Sequence, residues 1–511
     1  MRSDHVPTSG EHSATPGTPA ELTRRRLLGL GAAGAAALAA GVTLGGRPAR
    51  ADDAPVAVDP GTRYQTMEGW GTALSWGANV IGGWADVDKR TEIVDLLFGS
   101  RGLGIDIARY NIGATENPTH HHMRMGASIP SFWPERPGEW DVTRDAGQRW
   151  VLEQALRRET SRTEAFVCSP HYWWTRSGCV SGAADKGDNL LPEHVDDFAD
   201  YVTDVAVLFA RRWGTRFGSL SPINEPIADW WVANGTQEGC HYSLPMQARV
   251  LAAMRQKMDA KGLSGHTRLA MPEEPGASTA LDSITSYGDQ VRLLGQVNTH
   301  SYWNQERTGL RDAVRALPAK LWMSEFGTAG DAGYQPQDIS NALNLSRTML
   351  LDLNVLQADA WNIWNAIESI EANRDGNTCW GIIHATYTPG QEDFYVAKQY
   401  YGYGNYVKYV HPGATVVRVG DANAFAAYDA RRRELVVVYT EFGTADRDVT
   451  LDLSAFAPAS GPVLRRRTSA TENLAGLPAE ARQGGTYRTT LAARSITTFV
   501  VPGVVPVSTA R

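Results

Sequence analysis

From residue 66 onward, short apolar runs alternate with longer stretches in which apolar residues recur every three or four positions. Eight short runs stand out. They are TMEGWGTALS (66–75), GIDIARYNIG (104–113), EAFVCSPHYW (164–173), SLSPINEP (219–226), TRLAMPEEPG (267–276), QVNTHSYW (296–303), KLWMSEFG (320–327) and ADAWNIWNAI (358–367). Helical patterns separate most of them. LPEHVDDFADYVTDVAVLFARRW (191–213) has Pro192 and Glu193 in its first turn, where both residue types favour a helix start. SLPMQARVLAAMRQKMDAKG (243–262) ends on Gly262, a residue that stops helices. Strand followed by helix, repeated eight times, predicts an α/β fold, a parallel (β/α)8 TIM barrel over residues 67–403.

The texture changes after residue 404. ATVVRVG, AFAAYDA, ELVVVYTE, DVTLDL and SITTFVVP are short strands with turn residues between them. They predict a side antiparallel β-sandwich over 404–505. Residues 52–66, with Ala54-Pro55-Val56-Ala57-Val58, are extended in character and can add a strand to it. No repeat of fixed period is present.

The N-terminus breaks both patterns. TRRRLLGLGAAGAAALAAGV (23–42) places three arginines before an Ala/Gly-rich apolar run, and Ala49-Arg50-Ala51 offers a cleavage site. The paired arginines point to a signal peptide of the twin-arginine type over 1–51, with secretion of the remainder. The run is short for a transmembrane anchor, and no later run is long enough to span a membrane. Of 49 basic and 56 acidic residues, six arginines and three acids lie in residues 1–51, which leaves 43 against 53. That acidic balance, without a basic patch, excludes nucleic acid as an expected partner.

At 511 residues the chain is too long for one small core, and 42% hydrophobic with 21% charged residues is ordinary for a globular protein. Sixteen tryptophans and eighteen tyrosines are more informative, because aromatic faces either stack on sugars or fill cores. Cys168, Cys179, Cys240 and Cys379 allow three full pairings, with Cys168–Cys179 favoured by proximity in sequence. Their spacing has no metal pattern.

A barrel of this kind carries its chemistry at the C-terminal strand ends. The fourth run ends in Asn224-Glu225 and the seventh in Ser324-Glu325-Phe326-Gly327. Two carboxyls facing each other there suit glycoside hydrolysis, one giving a proton to the leaving oxygen and the other attacking the anomeric carbon. A gap of about 5–5.5 Å means retention of configuration. Arg109 can hold a carboxylate ionised, Tyr302 can donate to the same group, and Trp361 can floor a sugar subsite. Trp173, Trp174, Trp230, Trp231 and Trp303 are further platforms. Glu116, Glu273 and Glu274 are expected in solvated loops. His120-His121-His122 is expected in a polar loop near the cleft, since consecutive residues do not converge on one ion. No metal or cofactor is expected. The expected partner is a polysaccharide or oligosaccharide substrate, and the expected state is a monomer.

These stretches resemble glycoside hydrolase family 30. The matching motifs are EGWGTALSWGANVIGGW (68–84), ARYNIG (108–113), SPHYWW (169–174), SPINEP (221–226), THSYW (299–303) and WMSEFG (322–327), and the likeness spans most of 55–502. The resemblance implies a barrel with a side β-sandwich built from both chain ends. It implies that Glu225 is the acid/base, Glu325 the nucleophile and Asn224 the ligand of the 2-hydroxyl. It further implies that Arg109 and Tyr302 steady the nucleophile and that Trp361 is the platform. Trp174 and His300 lie in the matching motifs and are counted as substrate-binding candidates. GTALSWGANVIG most resembles the endo-β-1,6-galactanases, which cut arabinogalactan side chains, although Gly77 stands where bulky aromatics are more frequent. Other members act on β-1,6-glucan, xylan, glucosylceramide or β-fucosides. A non-catalytic carbohydrate-binding protein is the reading from a different class.

Overall fold

The computed structural model describes residues 54–507, except 304, 331, 458–460 and 483. The signal peptide expected over 1–51 lies outside the described residues. Nine strands set the frame: β1 (Val56–Thr66), β2 (Gly69–Ala73), β3 (Ile107–Asn111), β4 (Arg162–Phe166), β5 (Ser219–Ser221), β6 (Arg268–Glu274), β7 (Gln296–His300), β8 (Lys320–Phe326) and β9 (Ala360–Asn365). Strands β2 to β9 close a parallel barrel, with β9 pairing back to β2 through Gly69–Ala360 to Ala73–Asn365. Seven of the eight apolar runs contain a barrel strand, and the third overlaps the end of β4, which starts two residues earlier. The fourth run departs most from expectation, because pairing stops at Ser221 and Asn224-Glu225 stand beyond it.

The predicted helices form for the reasons their patterns give. Val195–Arg212 buries Phe198, Val202, Val205 and Phe209 on one face, with Asp196 and Asp197 in its first turn and Arg211 and Arg212 in its last. Leu244–Ala260 ends just before Gly262, whose φ of +70° is the left-handed conformation that glycine adopts without strain.

Barrel strands are buried on both sides. Outward residues such as Trp70, Tyr110, Ala165, Val297 and Trp361 join the layer between strands and helices. Gly71 points inward, where a Cβ would lie 1.7 Å from the Asn362 amide oxygen. At the lower end Ile107, Trp322 and Ala360 pack together, and Glu68 takes bidentate hydrogen bonds from Arg268 at 2.9 and 2.8 Å.

A side β-domain follows the barrel. Its strands run in the order 475–480, 463–468, 495–501, 434–441, 424–429, 415–419, β1, 447–452, 486–491. Strand β1 joins its two halves. It is antiparallel to 415–419 (Val58 opposite Val419) and parallel to 447–452 (Val56 opposite Leu451), the one parallel pairing in this sheet. The run ELVVVYTE lacks polar alternation because both faces of its strand are covered. Leu435, Val437 and Tyr439 face the sandwich core with Phe499 and Tyr487, while Val436 and Val438 face the barrel side with Phe425 and Tyr406. Helices Ile339–Leu351 and Lys398–Val407 carry that contact, stitched by Ser346, Tyr406 and Thr440 hydroxyls at 2.6–2.7 Å.

All four cysteines are free and buried, so the favoured Cys168–Cys179 pair is not formed. Cys168 faces the barrel interior beside the Asn111 amide, whereas Cys179 lies in the following loop against Glu116 and His122. No described helix is long and apolar enough to cross a membrane.

Phe425 is fully buried where the side sheet meets the barrel and packs on Tyr406 at 6.1 Å between centroids. Phe425→Ala is expected to cost about 3–5 kcal/mol, read as a lower urea midpoint with the far-ultraviolet spectrum of the native state retained.

Candidate active site

The barrel interior is filled by hydrogen-bonded polar groups where bulky aliphatics are usual. Arg109 on β3 is completely buried. Its Nε donates to Glu164 Oε1 at 2.7 Å, its Nη2 to Glu273 Oε1 at 2.7 Å and its Nη1 to the Ser324 carbonyl at 2.8 Å. The guanidinium also lies 4.4 Å over the Phe166 ring. One side chain thus ties β3 to β4, β6 and β8. Glu164 further accepts from Ser219 and Gln296 at 2.7 Å and from Asn298 at 3.2 Å.

Glu273 does not lie in a solvated loop as expected. It is fully buried and accepts from Arg109, from Asn298 Nδ2 at 2.5 Å, from Ser324 Oγ at 2.6 Å and from His300 Nε2 at 3.0 Å. The register of β6 against β7 shifts between Pro272 and Glu274, and Glu273 takes φ +62°, which turns its side chain inward. Glu274, also buried, turns outward to Ser283 and Gln247. Burial opposes ionisation of Glu273, but the charges of Arg109 and His300 hold its carboxyl down to about 2. Burial of Glu274 pushes its carboxyl up to about 8. Two adjacent glutamates therefore hold opposite protonation states at neutral pH.

Above this network stand Glu225, Glu325 and His300. One oxygen of each carboxyl and a His300 ring nitrogen all lie within 4.8 Å of one another. His300 Nδ1 is 3.2 Å from Glu225 Oε1 and 3.6 Å from Glu325 Oε1. Burial would depress His300, but Glu325's charge and hydrogen bonds with Glu225 and Glu273 overcome it and lift the ring to about 10. The imidazolium then donates from both nitrogens.

The backbone around Glu225 is pinned. Its φ of +46° is rare for a residue that precedes proline. Its N–H donates to the Glu273 carbonyl and its carbonyl accepts from the Trp231 indole, both at 2.8 Å. Glu325 accepts from the Tyr302 hydroxyl at 3.1 Å, and Arg109 Nη1 lies 3.7 Å from its other oxygen. Burial, with the like charges of Glu225 and Glu273, pushes Glu325 up to about 7 against the pull of His300 and Arg109. The like charge of Glu225 is part of what opposes ionisation of Glu325. Tyr302's hydrogen bond and Arg109's charge favour the negative charge on Glu325. Glu325 Oε2 and the Asn224 amide oxygen are buried without a hydrogen-bond partner, and both are free for a ligand hydroxyl.

The expected platforms divide. Trp361 is fully buried, donates to Asp352 at 3.0 Å and packs on Tyr403, so it offers a sugar no face. It occupies an outward position of β9, and Trp364, three residues on, takes the inward side. Trp364 is partly exposed, edge-on to Trp76 at 5.7 Å, and close to Gly327, where a side chain would press on Trp364 and Trp380. Trp174 is buried among Trp133, His171 and Tyr201 and is likewise a packing residue. Trp231 is buried too, while Trp173, Trp230 and Trp303 keep partial exposure. At Gly77 a Cβ would meet the Ile367 carbonyl oxygen at 2.4 Å, which leaves no space there for an aromatic.

Residues 53–307 match the model of O-glycosyl hydrolase family 30. An endo-beta-1,6-galactanase of Hypocrea rufa is 27% identical over 492 residues, covering 89% of this chain and 95% of that protein. An exo-beta-1,6-galactobiohydrolase of Bifidobacterium longum is 22% identical, covering 84% of this chain and 37% of that protein. Among solved structures, the catalytic domain of a GH30 xylanase C from Talaromyces cellulolyticus superposes with a TM-score of 0.68 at 19% identity, over 88% of this chain and 99% of that one.

Truncation of the two β9 tryptophans separates packing from ligand contact. Trp364→Ala is expected to lower kcat/KM on a glycan about ten- to a hundred-fold with little change in Tm. Trp361→Ala is expected to lower Tm by several degrees through the cavity it leaves, about 3–5 kcal/mol. Both are read by thermal melts beside initial rates.

Proposed function

The chain belongs to O-glycosyl hydrolase family 30, and we propose that it is a secreted, retaining endo-β-1,6-galactanase acting on arabinogalactan side chains. The observation that carries the mechanism is the Glu225–Glu325 pair, whose oxygens approach within 4.8 Å across His300. That spacing suits direct attack on the anomeric carbon, because an inverting pair stands about 6.5–9.5 Å apart to admit a water. In this reading Glu325, held anionic by Tyr302 and Arg109, attacks the anomeric carbon while Glu225 gives its proton to the departing oxygen. Glu225, now ionised, then takes a proton from the water that releases the sugar. His300 keeps Glu225 and Glu325 aligned, and Asn224 receives the 2-hydroxyl. Trp364 replaces Trp361 as the proposed platform.

The choice of sugar rests on the strand-one motif GTALSWGANVIG and on the activity named for the relative of 95% coverage. A panel of β-1,6-galactan, β-1,3-galactan, β-1,6-glucan and xylan, with product sizing, tests it. Release of short oligosaccharides from β-1,6-galactan is expected, and no release from that substrate overturns the choice. Proton NMR of the first anomer formed tests retention. Glu325→Gln is expected to abolish hydrolysis, by at least about 10⁴-fold, with oligosaccharide binding by calorimetry preserved.

The carboxyl of Glu325 sets one limb of the pH dependence. A group raised to about 7 is protonated below that pH and loses its proton above it. In this reading Glu325 must be ionised to attack, so kcat/KM should fall on the acidic side of about pH 7. Glu225→Gln removes a like charge that helps raise Glu325, and is expected to move that acidic limb to lower pH when assayed on an aryl glycoside whose leaving group needs no proton.

A further inference from the structure

A second convergence of side chains lies outside the barrel mouth, and its chemistry differs from that of the carboxylate pair. Glu116 and His122 come from the loop after β3, and Cys179 from the loop after β4. Cys179 Sγ is 3.3 Å from His122 Nε2 and 3.6 Å from Glu116 Oε2, and His122 Nε2 is 3.5 Å from Glu116 Oε2. A His120 ring nitrogen completes the group, with all four ligand atoms within 4.8 Å of one another. His120 Nδ1 stands 3.2 Å from Glu116 Oε1. His121 is exposed and takes no part. The three consecutive histidines do not all converge, but the alternate pair, two residues apart, shares one side while His121 points away.

The donor and acceptor pattern suits a cation. His122 Nδ1 lies 2.6 Å from the Gly235 carbonyl, so that nitrogen carries the proton. Its Nε2 lone pair then faces Cys179 and Glu116. Glu116 Oε2 already accepts from the Val180 N–H at 3.2 Å. Cys179 Sγ faces His122, Glu116 and Ser181 Oγ at 3.0 Å with a single S–H to share. Lone pairs from nitrogen, oxygen and sulfur thus converge on one point.

We propose that Glu116, His120, His122 and Cys179 form a structural zinc site. Zinc bonds of about 2.0–2.3 Å in a tetrahedron put neighbouring ligand atoms about 3.3–3.8 Å apart, and the measured triangle of 3.3, 3.5 and 3.6 Å matches one face of it. Thiolate with imidazole selects zinc over magnesium or calcium. The carbonyl bonded to His122 Nδ1 is the outer partner that orients a zinc-ligating histidine. Four protein ligands leave no open position, so the ion braces the fold and takes no part in hydrolysis. Through Gly235, and through Ser181 Oγ donating to the Val232 carbonyl at 2.9 Å, the brace reaches the loop after β5 that carries Glu225.

The full chain, loaded with Zn²⁺ and freed of unbound metal, is expected to hold one zinc by elemental mass spectrometry. Co²⁺ in its place is expected to give the intense visible bands of a four-coordinate ion with a thiolate charge-transfer band. His122→Ala is expected to lose the zinc and Cys179→Ser the charge-transfer band, while His121→Ala keeps both. Chelation is expected to lower the Tm of the unaltered chain and to leave that of His122→Ala unchanged. Absence of bound zinc in the unaltered chain after loading overturns the proposal, and so does equal zinc content in the unaltered chain and His122→Ala.

Discussion

One buried guanidinium governs the geometry of this barrel. Arg109 cannot leave its place without stranding Glu164 and Glu273, because both carboxylates depend on it in a region closed to water. Breaking such a pair from one side leaves an uncompensated buried charge, which is far costlier than any gain from the pair itself. The consequence is positional. Arg109 fixes Glu273, Glu273 fixes His300, and His300 contacts both Glu225 and Glu325. A row of hydrogen bonds inside the barrel therefore sets the aim of two side chains at its mouth. An interior of packed aliphatics would hold the barrel closed equally well, but it could not orient a carboxylate.

The same constraint explains the backbone at Glu225. Its φ of +46° before a proline is unfavourable taken alone. Two hydrogen bonds overrule it, one to the carbonyl of Glu273 and one from the Trp231 indole. Glu273 thus serves twice, its side chain setting His300 and its carbonyl setting the loop that carries Glu225. The substitution that removes this glutamate's charge disturbs both.

The strands were legible because barrel burial writes continuous apolar runs, and eight of these found their places. The facing of Glu225 and Glu325 followed from strand number alone. What stayed illegible depends on register and on contacts between distant loops. In ADAWNIWNAI the two tryptophans sit three apart, so they fall on opposite faces of β9, and only the register of the closed barrel decides which faces inward. In MPEEPG a local register shift sends Glu273 inward and Glu274 outward, and no pattern of residue types marks that shift. ELVVVYTE reads as a strand, but its second covered face shows only once the side sheet lies on the barrel helices. Cys179 joins Glu116 across 63 positions, and cysteine spacing alone says nothing about it.

Charge at the barrel mouth gives the arrangement its chemical direction. Arg109 and His300 are cations, and four carboxyls face them: Glu164, Glu273, Glu225 and Glu325. Four carboxyls thus crowd two cations in a buried space. One oxygen of Glu325 and the amide oxygen of Asn224 lie there without a hydrogen-bond partner. In the resting state an anion on Glu325 is poorly compensated, and burial with the like charges of Glu225 and Glu273 pushes its carboxyl up to about 7. In the proposed reaction, an oxocarbenium-like transition state would bring positive charge to the anomeric carbon beside Glu325. The site is therefore better balanced with the transition state present than without it, and preorganised charge acts where it costs no reorganisation.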